Sequence, residues 1–380
     1  MKKNNRLPLG FVDSYSININ LENDLINKFQ NIFENYDYKV IQPSLIDYVE
    51  NLQMEPNSGD KLFKTIDNNG KLIGVLNDIT PSIMRIIEGE TLPHRFFYNT
   101  KGFSFLPNEN EVRTNYNVGA QIYNITGIEA EVEVISTMLQ TLSEIGIINT
   151  KLTLNHFGII KNLVTSFNPK ISITLNEILL AINNKDGSKI GDVCLNMVTS
   201  IYNSKGDLKI LEKVAESVNN KEALEGVVAL FRIYQLLKEN GRECDIVFDF
   251  GNFNADKSYY NGTIFKIEGQ DLLLASGGRY FGIKYGKGFT GVACNYNMPI
   301  ILEYYRQVNS TKEPKERVLL AVEDSTEALA KFFNIREILN KQEIIAVPIY
   351  KTDRKMCKEY AQIMSIDNII YIDNKGDVSE

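Results

Sequence analysis

The chain has 380 residues, of which 43% are hydrophobic and 23% charged, which suits a globular protein of two or three domains with no low-complexity segment. Its net charge of −7 and pI near 5.3 argue against a nucleic-acid binder, because such proteins draw most of their affinity from basic groups that neutralise phosphates. No apolar run reaches the roughly 18–20 residues of a membrane span, and Met1–Arg6 is not followed by the apolar stretch of a secretory signal.

Along the chain, Leu21, Leu25, Ile26, Phe29, Ile32 and Phe33 recur at helical spacing and predict an amphipathic helix over about 20–36. It leads into Tyr38–Gln42, a short strand that Pro43 stops. Leu62–Ile79 reads as two strands joined at Asp67-Asn68-Asn69-Gly70, a good hairpin turn. A helix is expected to begin at Pro81, with Thr80 as its cap and the proline at its first position. Phe96–Phe105 and Asn117–Ile125 are strand-like and flank a polar loop, and Glu129–Ile145 is a helix that Gly146 ends. The stretch 157–240 reads as mostly helical, with turns near 183–187 and 203–206. Strands return at Ile246–Phe250, Tyr259–Ile267, Leu272–Ser276 and Gly288–Cys294, and a helix follows at Met298–Gln307. Asn309–Pro314 is the linker candidate. Beyond it, strand and helix alternate: Arg317–Val322, Thr326–Leu339, Glu343–Tyr350, Arg354–Met364, Asn368–Ile372. The expectation is an α+β chain. Residues 1–310 form an antiparallel sheet flanked by helices, with 157–240 as a helical insertion, and 315–380 form a small α/β domain.

Several blocks, in order, carry a resemblance. Pro43 closes a helix–strand–proline unit. Leu76-Asn77-Asp78-Ile79-Thr80-Pro81 precedes Met84-Arg85. Pro93–Tyr98 precedes Val112–Gln121, and Glu129–Ile135 opens a helix. Ser258-Tyr259-Tyr260-Asn261-Gly262-Thr263-Ile264-Phe265 is followed by Ala275-Ser276-Gly277-Gly278-Arg279-Tyr280. This series resembles the histidyl-tRNA synthetase family and its catalytically silent branch, the regulatory subunits of ATP phosphoribosyltransferase in histidine biosynthesis. The first unit resembles class II motif 1, the Pro93 and Val112 segments motif 2, and the glycine-containing pair the "DYYTG-F" and "GGRYD" blocks. The resemblance covers about residues 6–306 and implies a class II synthetase-like core.

The departures from that family concern ATP. Forming an adenylate requires positive charge aimed at the triphosphate, and arginine's planar fork suits that task. Where motif 2 of the family delivers an arginine, this chain has Gly102-Phe103-Ser104-Phe105. The "RPDxT" arginine is Asn77, the one before the tyrosine pair falls near Ala255, and that of motif 3 falls near Asn297-Met298. Arg113 and Lys257 remain nearby and do not replace four losses. The expectation is therefore no synthetase activity.

The resemblance implies a histidine-binding set of Asp78, Thr80, Asn117, Gln121, Tyr259, Tyr260, Gly277 and Gly278. Asp78 and Thr80 offer acceptors for an ammonium, the tyrosines bound a ring, and glycines let a ligand approach the backbone. Gln121 stands where the family has glutamate, keeping an acceptor but losing the charge. Read as residues alone, the two tyrosines face opposite sides of a strand, so each is a candidate for pocket or core. The resemblance further implies a short-form catalytic subunit as partner, a motif 1 homodimer within a hetero-octamer, histidine as effector, and no nucleic acid or membrane. The divergent-synthetase alternative would make the C-terminal unit an anticodon-binding module, and a further alternative is a synthetase-derived interaction protein of another pathway.

The remaining features are read as structural. His94 and His156 lie apart from any cysteine, and Cys194, Cys244, Cys294 and Cys357 are widely spaced. No metal or cofactor is expected, and a reducing cytoplasm fits. Gly286-Lys287-Gly288 lacks a P-loop pattern and reads as a turn, and Lys351–Lys355 as a solvated helix start.

Overall fold

The computed structural model describes residues 7–8, 10–11, 13, 17–53, 62–104, 114–218, 220–241, 244–251, 260–284, 287–309 and 316–379. The chain divides into two units, Met1–Val308 and Asn309–Glu380.

The first unit is organised by a sheet that, among the described residues, has nine strands in the order β1-β5-β6-β12-β11-β10-β7-β9-β8. These are β1 (Lys39–Ile41), β5 (His94–Phe103), β6 (Thr114–Tyr123), β7 (Thr150–His156), β8 (Lys205–Gly206), β9 (Cys244–Asp249), β10 (Tyr260–Gly269), β11 (Leu272–Lys284) and β12 (Lys287–Tyr296). The sheet is antiparallel through its middle, but β1 pairs with β5 and β7 with β9 in parallel. Long connections carry the chain back in the same sense at these two places, where a hairpin would have reversed it. Lys287 and Gly288 lie within β12, not in a turn as expected.

One side of this sheet, the back, is covered by α1 (Ile17–Glu34), α4 (Glu129–Glu144), α9 (Lys221–Glu239) and α10 (Met298–Asn309). Their apolar stripes supply the buried Leu25, Phe29 and Phe33, Val134 and Met138, Leu230 and Ile233, and Ile301. The insertion is helical as its periodicity predicts: α5 (Phe157–Phe167), α6 (Leu175–Asn184), α7 (Asp192–Tyr202) and α8 (Leu208–Ser217) precede α9. Thr174 and Glu177 form a reciprocal capping box at the start of α6, satisfying two of the donors that a helix start leaves open.

The opposite side, the front, carries a smaller cluster: Ile79, Ile83, Met84, Phe96, Tyr98, Tyr123, Phe157, Tyr260, Ile264, Tyr280 and Ala293. Over it lies α3 (Thr80–Ile86), fed by a three-stranded sheet of β2 (Ile46–Tyr48), β4 (Leu72–Val75) and β3 (Lys64–Ile66), with the short α2 (Val49–Leu52) beside it. The β3–β4 turn is the predicted one. Gly70 sits at φ +80°, and its N–H reaches the Asp67 carbonyl at 3.0 Å. Helix α3 starts one residue earlier than expected, and Thr80 is not its cap. The Thr80 N–H instead donates to Asp78 Oδ1 at 2.8 Å, an Asx turn that a carboxylate two residues upstream makes easily.

In the second unit β13 (Arg317–Val322) is central, parallel to β14 (Ile345–Tyr350) on one side and to β15 (Asn368–Ile372) on the other; β16 (Val378–Ser379) adds an antiparallel edge. Alternation along β13 sends Val318, Leu320 and Val322 towards Ala328 and Phe332 of α11 (Thr326–Lys341). Leu319 and Ala321 face Cys357 and Ala361 of α12 (Arg354–Met364) on the other side.

Candidate functional site

The register of the sheet lays the front-face residues out in transverse rows. One row runs Phe96, Gln121, Ala293, Gly278, Ile264, Asn155 across β5, β6, β12, β11, β10 and β7. The row beside it runs His94, Tyr123, Gly291, Tyr280, Tyr260. Gln121, with none of its surface exposed, is the junction between them. Its Oε1 accepts from the Tyr280 hydroxyl at 3.0 Å and from the Tyr123 hydroxyl, and its Nε2 donates to Thr80 Oγ1 at 3.0 Å. A carboxamide has two acceptor lone pairs and two N–H donors, so three of four capacities are used here. The fourth side of Gln121 faces Tyr98, whose hydroxyl lies 2.8 Å from the Cys294 carbonyl.

Glycine makes this arrangement possible. A Cβ on Gly291 would stand 2.7 Å from the Tyr280 hydroxyl and ring, so a side chain between Tyr123 and Tyr280 would push Tyr280 off Gln121. The two tyrosine rings meet edge to face, with centroids 6.1 Å apart. Burial raises the pKa of the Tyr98 and Tyr123 hydroxyls well above their ordinary value, and the Asp78 charge nearby adds to the effect. Both therefore stay protonated and able to donate.

At the other end of α3's approach, Asn77 receives two hydrogen bonds. Ser104 Oγ donates to its Oδ1 at 2.7 Å, and Asn117 Nδ2 donates to its main-chain carbonyl at 3.0 Å. Asn77 is the residue the resemblance sets against one arginine of the synthetase pattern, and Ser104 lies in the Gly102–Phe105 stretch set against another; here the two touch. Gly102 backs the contact, since a Cβ there would lie 2.6 Å from both Asn117 Nδ2 and the Asn77 carbonyl.

The structure thus gathers Asp78, Thr80, Asn117, Gln121, Tyr260 and Gly278 on one face. Tyr260 is buried beside Gly278, whose missing Cβ would lie 3.1 Å from its ring. Gly277 faces the other way: a Cβ there would lie 2.4 Å from the Phe265 ring and 2.2 Å from the Ala293 carbonyl, so packing accounts for that glycine. Tyr259, Ala255, Lys257 and Arg113 lie outside the described residues. Motif reading missed Tyr98, Tyr123 and the contact role of Tyr280. Period-2 alternation from Gln121 to Tyr123, and from Gly278 to Tyr280, is the signal that points to the last two.

Arg279 of the glycine-rich block belongs to the back. Its Nε donates to Glu131 Oε1 at 2.7 Å, and its two terminal nitrogens reach the carbonyls of Ile125 (2.8 Å) and Gly127 (2.6 Å). Gly262 makes room for the arginine's stem, its absent Cβ lying 2.9 Å from Arg279 Cβ. His156, at the start of α5, accepts the Gly158 N–H on Nδ1 at 3.1 Å. Desolvation, and then the Arg279 charge, lowers its pKa to about 4. Among the described residues no group of three or more His, Cys, Asp or Glu side chains is placed to hold a metal, and no helix is long and apolar enough to cross a membrane.

Comparison with known proteins adds the following. The family model described as histidyl-tRNA synthetase matches residues 10–294. Proteins named ATP phosphoribosyltransferase regulatory subunit are similar over almost the whole chain. That of Desulforamulus reducens is 25% identical, covering 99% of this chain and 98% of its own, and that of Clostridium botulinum strain Langeland is 26% identical, covering 97% and 92%. Among solved structures, an ATP phosphoribosyltransferase regulatory subunit/histidyl-tRNA synthetase from Bacillus halodurans superposes with a TM-score of 0.80 at 16% identity, covering 97% of this chain and 98% of its own. Histidyl-tRNA synthetase from Nostoc sp. PCC 7120 does so at 0.72 and 15%, covering 98% and 92%. These two superpositions establish a class II synthetase-like α+β fold.

Proposed function

This chain belongs to the histidyl-tRNA synthetase family, and from that premise we propose that it is a non-catalytic regulatory subunit of ATP phosphoribosyltransferase. In this role it binds a short catalytic subunit in the cytoplasm, activates it, and reports histidine to it at the first step of histidine biosynthesis. The names of its full-length relatives support the role. The observation that carries it is the Ser104–Asn77 hydrogen bond of 2.7 Å. Asn77 matches one phosphate-facing arginine of a synthetase and Ser104 lies in the stretch that matches another, and the two are neutral, short and hydrogen-bonded to each other. Removing even one such stabiliser commonly costs about 10²–10³ in rate, so a site altered at both is unfit to make an adenylate.

The amino-acid side of the cleft keeps its polar groups. We assign the ligand set to Asp78, Thr80, Asn117, Gln121, Tyr259, Tyr260 and Gly278, with histidine as effector; Gly277, which faces the back of the sheet, drops out of the expected set. Asp78 supplies the negative charge for an ammonium; Gln121 and its tyrosines supply directional hydrogen bonds. Histidine acts by favouring one of two conformations of the assembly, since an effector shifts an equilibrium only by its difference in affinity for the two states. Motif 1, ending at β1, supports a homodimer at the centre of a hetero-octamer.

The test pairs the purified chain with a short catalytic subunit. Co-sedimentation and faster phosphoribosyl transfer are expected, and absence of both rejects the role. Histidine-dependent ATP–pyrophosphate exchange by the chain alone would make it a divergent synthetase. Calorimetric titration with histidine should give heat that Gln121→Ala diminishes; no heat with either protein leaves assembly without sensing.

A further inference from the structure

Helix α9 has two apolar stripes, and the fold uses one. Ala223, Gly226, Val227, Leu230, Ile233 and Leu237 are buried, and the helix packs against α5, β7 and β10. Gly226 sits so close to His156 that a Cβ would lie 2.7 Å from its Nδ1. On the outer side Leu224, Val228 and Phe231 remain 39%, 49% and 36% exposed. Their spacing of four and then three residues keeps them within an arc of about 60°, a ridge along the helix.

The charges beside the ridge say what fits on it. Glu225 and Arg232 are exposed, and among the described residues neither has an ion-pair partner. At about 100° per residue they lie on the same flank of the ridge, within about 20° of each other. They are also equidistant from the midpoint between Val228 and Ala229. A two-fold axis through that midpoint sets a second α9 antiparallel to the first. It places Glu225 opposite Arg232 of the other copy, and does so twice. The same register brings Leu224 beside the other copy's Phe231 and Val228 beside its own counterpart. Within α9 no like charges fall directly opposite each other: Lys221 falls opposite Leu236, and Glu239 falls beyond the start of the other copy's helix.

We infer that the outer face of α9 is a self-association surface that takes a second copy of this chain, antiparallel, with paired Glu225–Arg232 bridges. Two-fold contacts are built this way, from one patch that is complementary to itself. A single helical ridge is smaller than the roughly 1,200–2,000 Å² of a standard stable interface, so the association is weak and depends on concentration. It requires neither histidine nor a catalytic subunit.

Sedimentation equilibrium of the full chain tests this. The wild type should show a weak association step that Val228→Glu abolishes, while far-UV circular dichroism stays unchanged. Glu225→Arg and Arg232→Glu should each weaken the step about tenfold, because each swap replaces two attractive pairs with two repulsive ones. The combined Glu225→Arg/Arg232→Glu chain should return to within about threefold of wild type, because the exchange rebuilds both bridges across the axis. Two results overturn the inference. One is a wild type that sediments like Val228→Glu. The other is a combined variant as weak as the single ones, which would assign the ridge to a different partner.

Discussion

Two neighbouring rows on opposite faces of the large sheet use polar residues in opposite ways. The back row runs Arg95, Ile122, Val292, Arg279, and α4 meets both arginines with carboxylates, Glu133 and Glu131. The adjacent front row has Gln121 at its centre and binds it with hydroxyls alone. Charge on the back is bolted into the architecture, where it fixes α4 to the sheet and ties down the chain before it through two main-chain carbonyls. On the front, Gln121 and the hydroxyls around it form a neutral network, with the Asp78 carboxylate at its margin. The contrast gives Arg279 of the glycine-rich block a structural role that needs no nucleotide. A buried charge whose partner is also buried is costly to remove from either end, whereas an arginine that served only a nucleotide leaves nothing behind.

The largest expected break is at Arg279. Arg279→Met strands Glu131, whose side chain is 2% exposed, and should cost about 3–5 kcal/mol in urea unfolding, with part of the loss recovered by adding Glu131→Gln. Next comes acid sensitivity on the back. His156 has a folded pKa near 4, below its unfolded value near 6.5, so its neutral form is the one that fits. Stability is intact above about pH 6.5 and falls as pH drops towards 4, by up to about 3 kcal/mol. Unfolding midpoints at a series of pH values should show that slope, and His156→Asn should flatten it. On the front, Gln121→Leu removes the oxygen that accepts from the Tyr123 and Tyr280 hydroxyls and should cost about 1–2 kcal/mol by the same urea assay. The smallest effect is expected at Arg95→Met, whose pair with Glu133 is 29% and 25% exposed: less than about 1 kcal/mol, and less still in high salt. Should Arg95→Met cost as much as Arg279→Met, the distinction between a buried and a half-exposed bridge fails.

Much of this was legible in the residues. The ordered blocks identify the core, and turn chemistry at Asp67–Gly70 and alternation in the C-terminal unit give those elements directly. Other parts depend on contacts that no local pattern encodes. β11 looked finished at Ser276 because Gly277, Gly278 and Gly282 lower strand propensity. It continues to Lys284 because those glycines receive neighbours: Phe265 over Gly277, Tyr260 over Gly278, and Phe289 over Gly282. Asn77 and Ser104 are 27 residues apart, and only the pairing of β5 beside α3's approach brings them within 2.7 Å. The placement of Gly277 on the wrong face for a ligand follows from strand alternation, which motif matching ignores.

The hub at Gln121 has a further consequence. A glutamate there would carry a proton or shed it according to its surroundings. A carboxamide does neither, and the Tyr98 and Tyr123 hydroxyls that face it are held protonated far above neutrality. The centre of the cleft therefore keeps one fixed pattern of donors and acceptors whatever the acidity around it. The hub thus adds no titratable group of its own to the cleft beside Asp78.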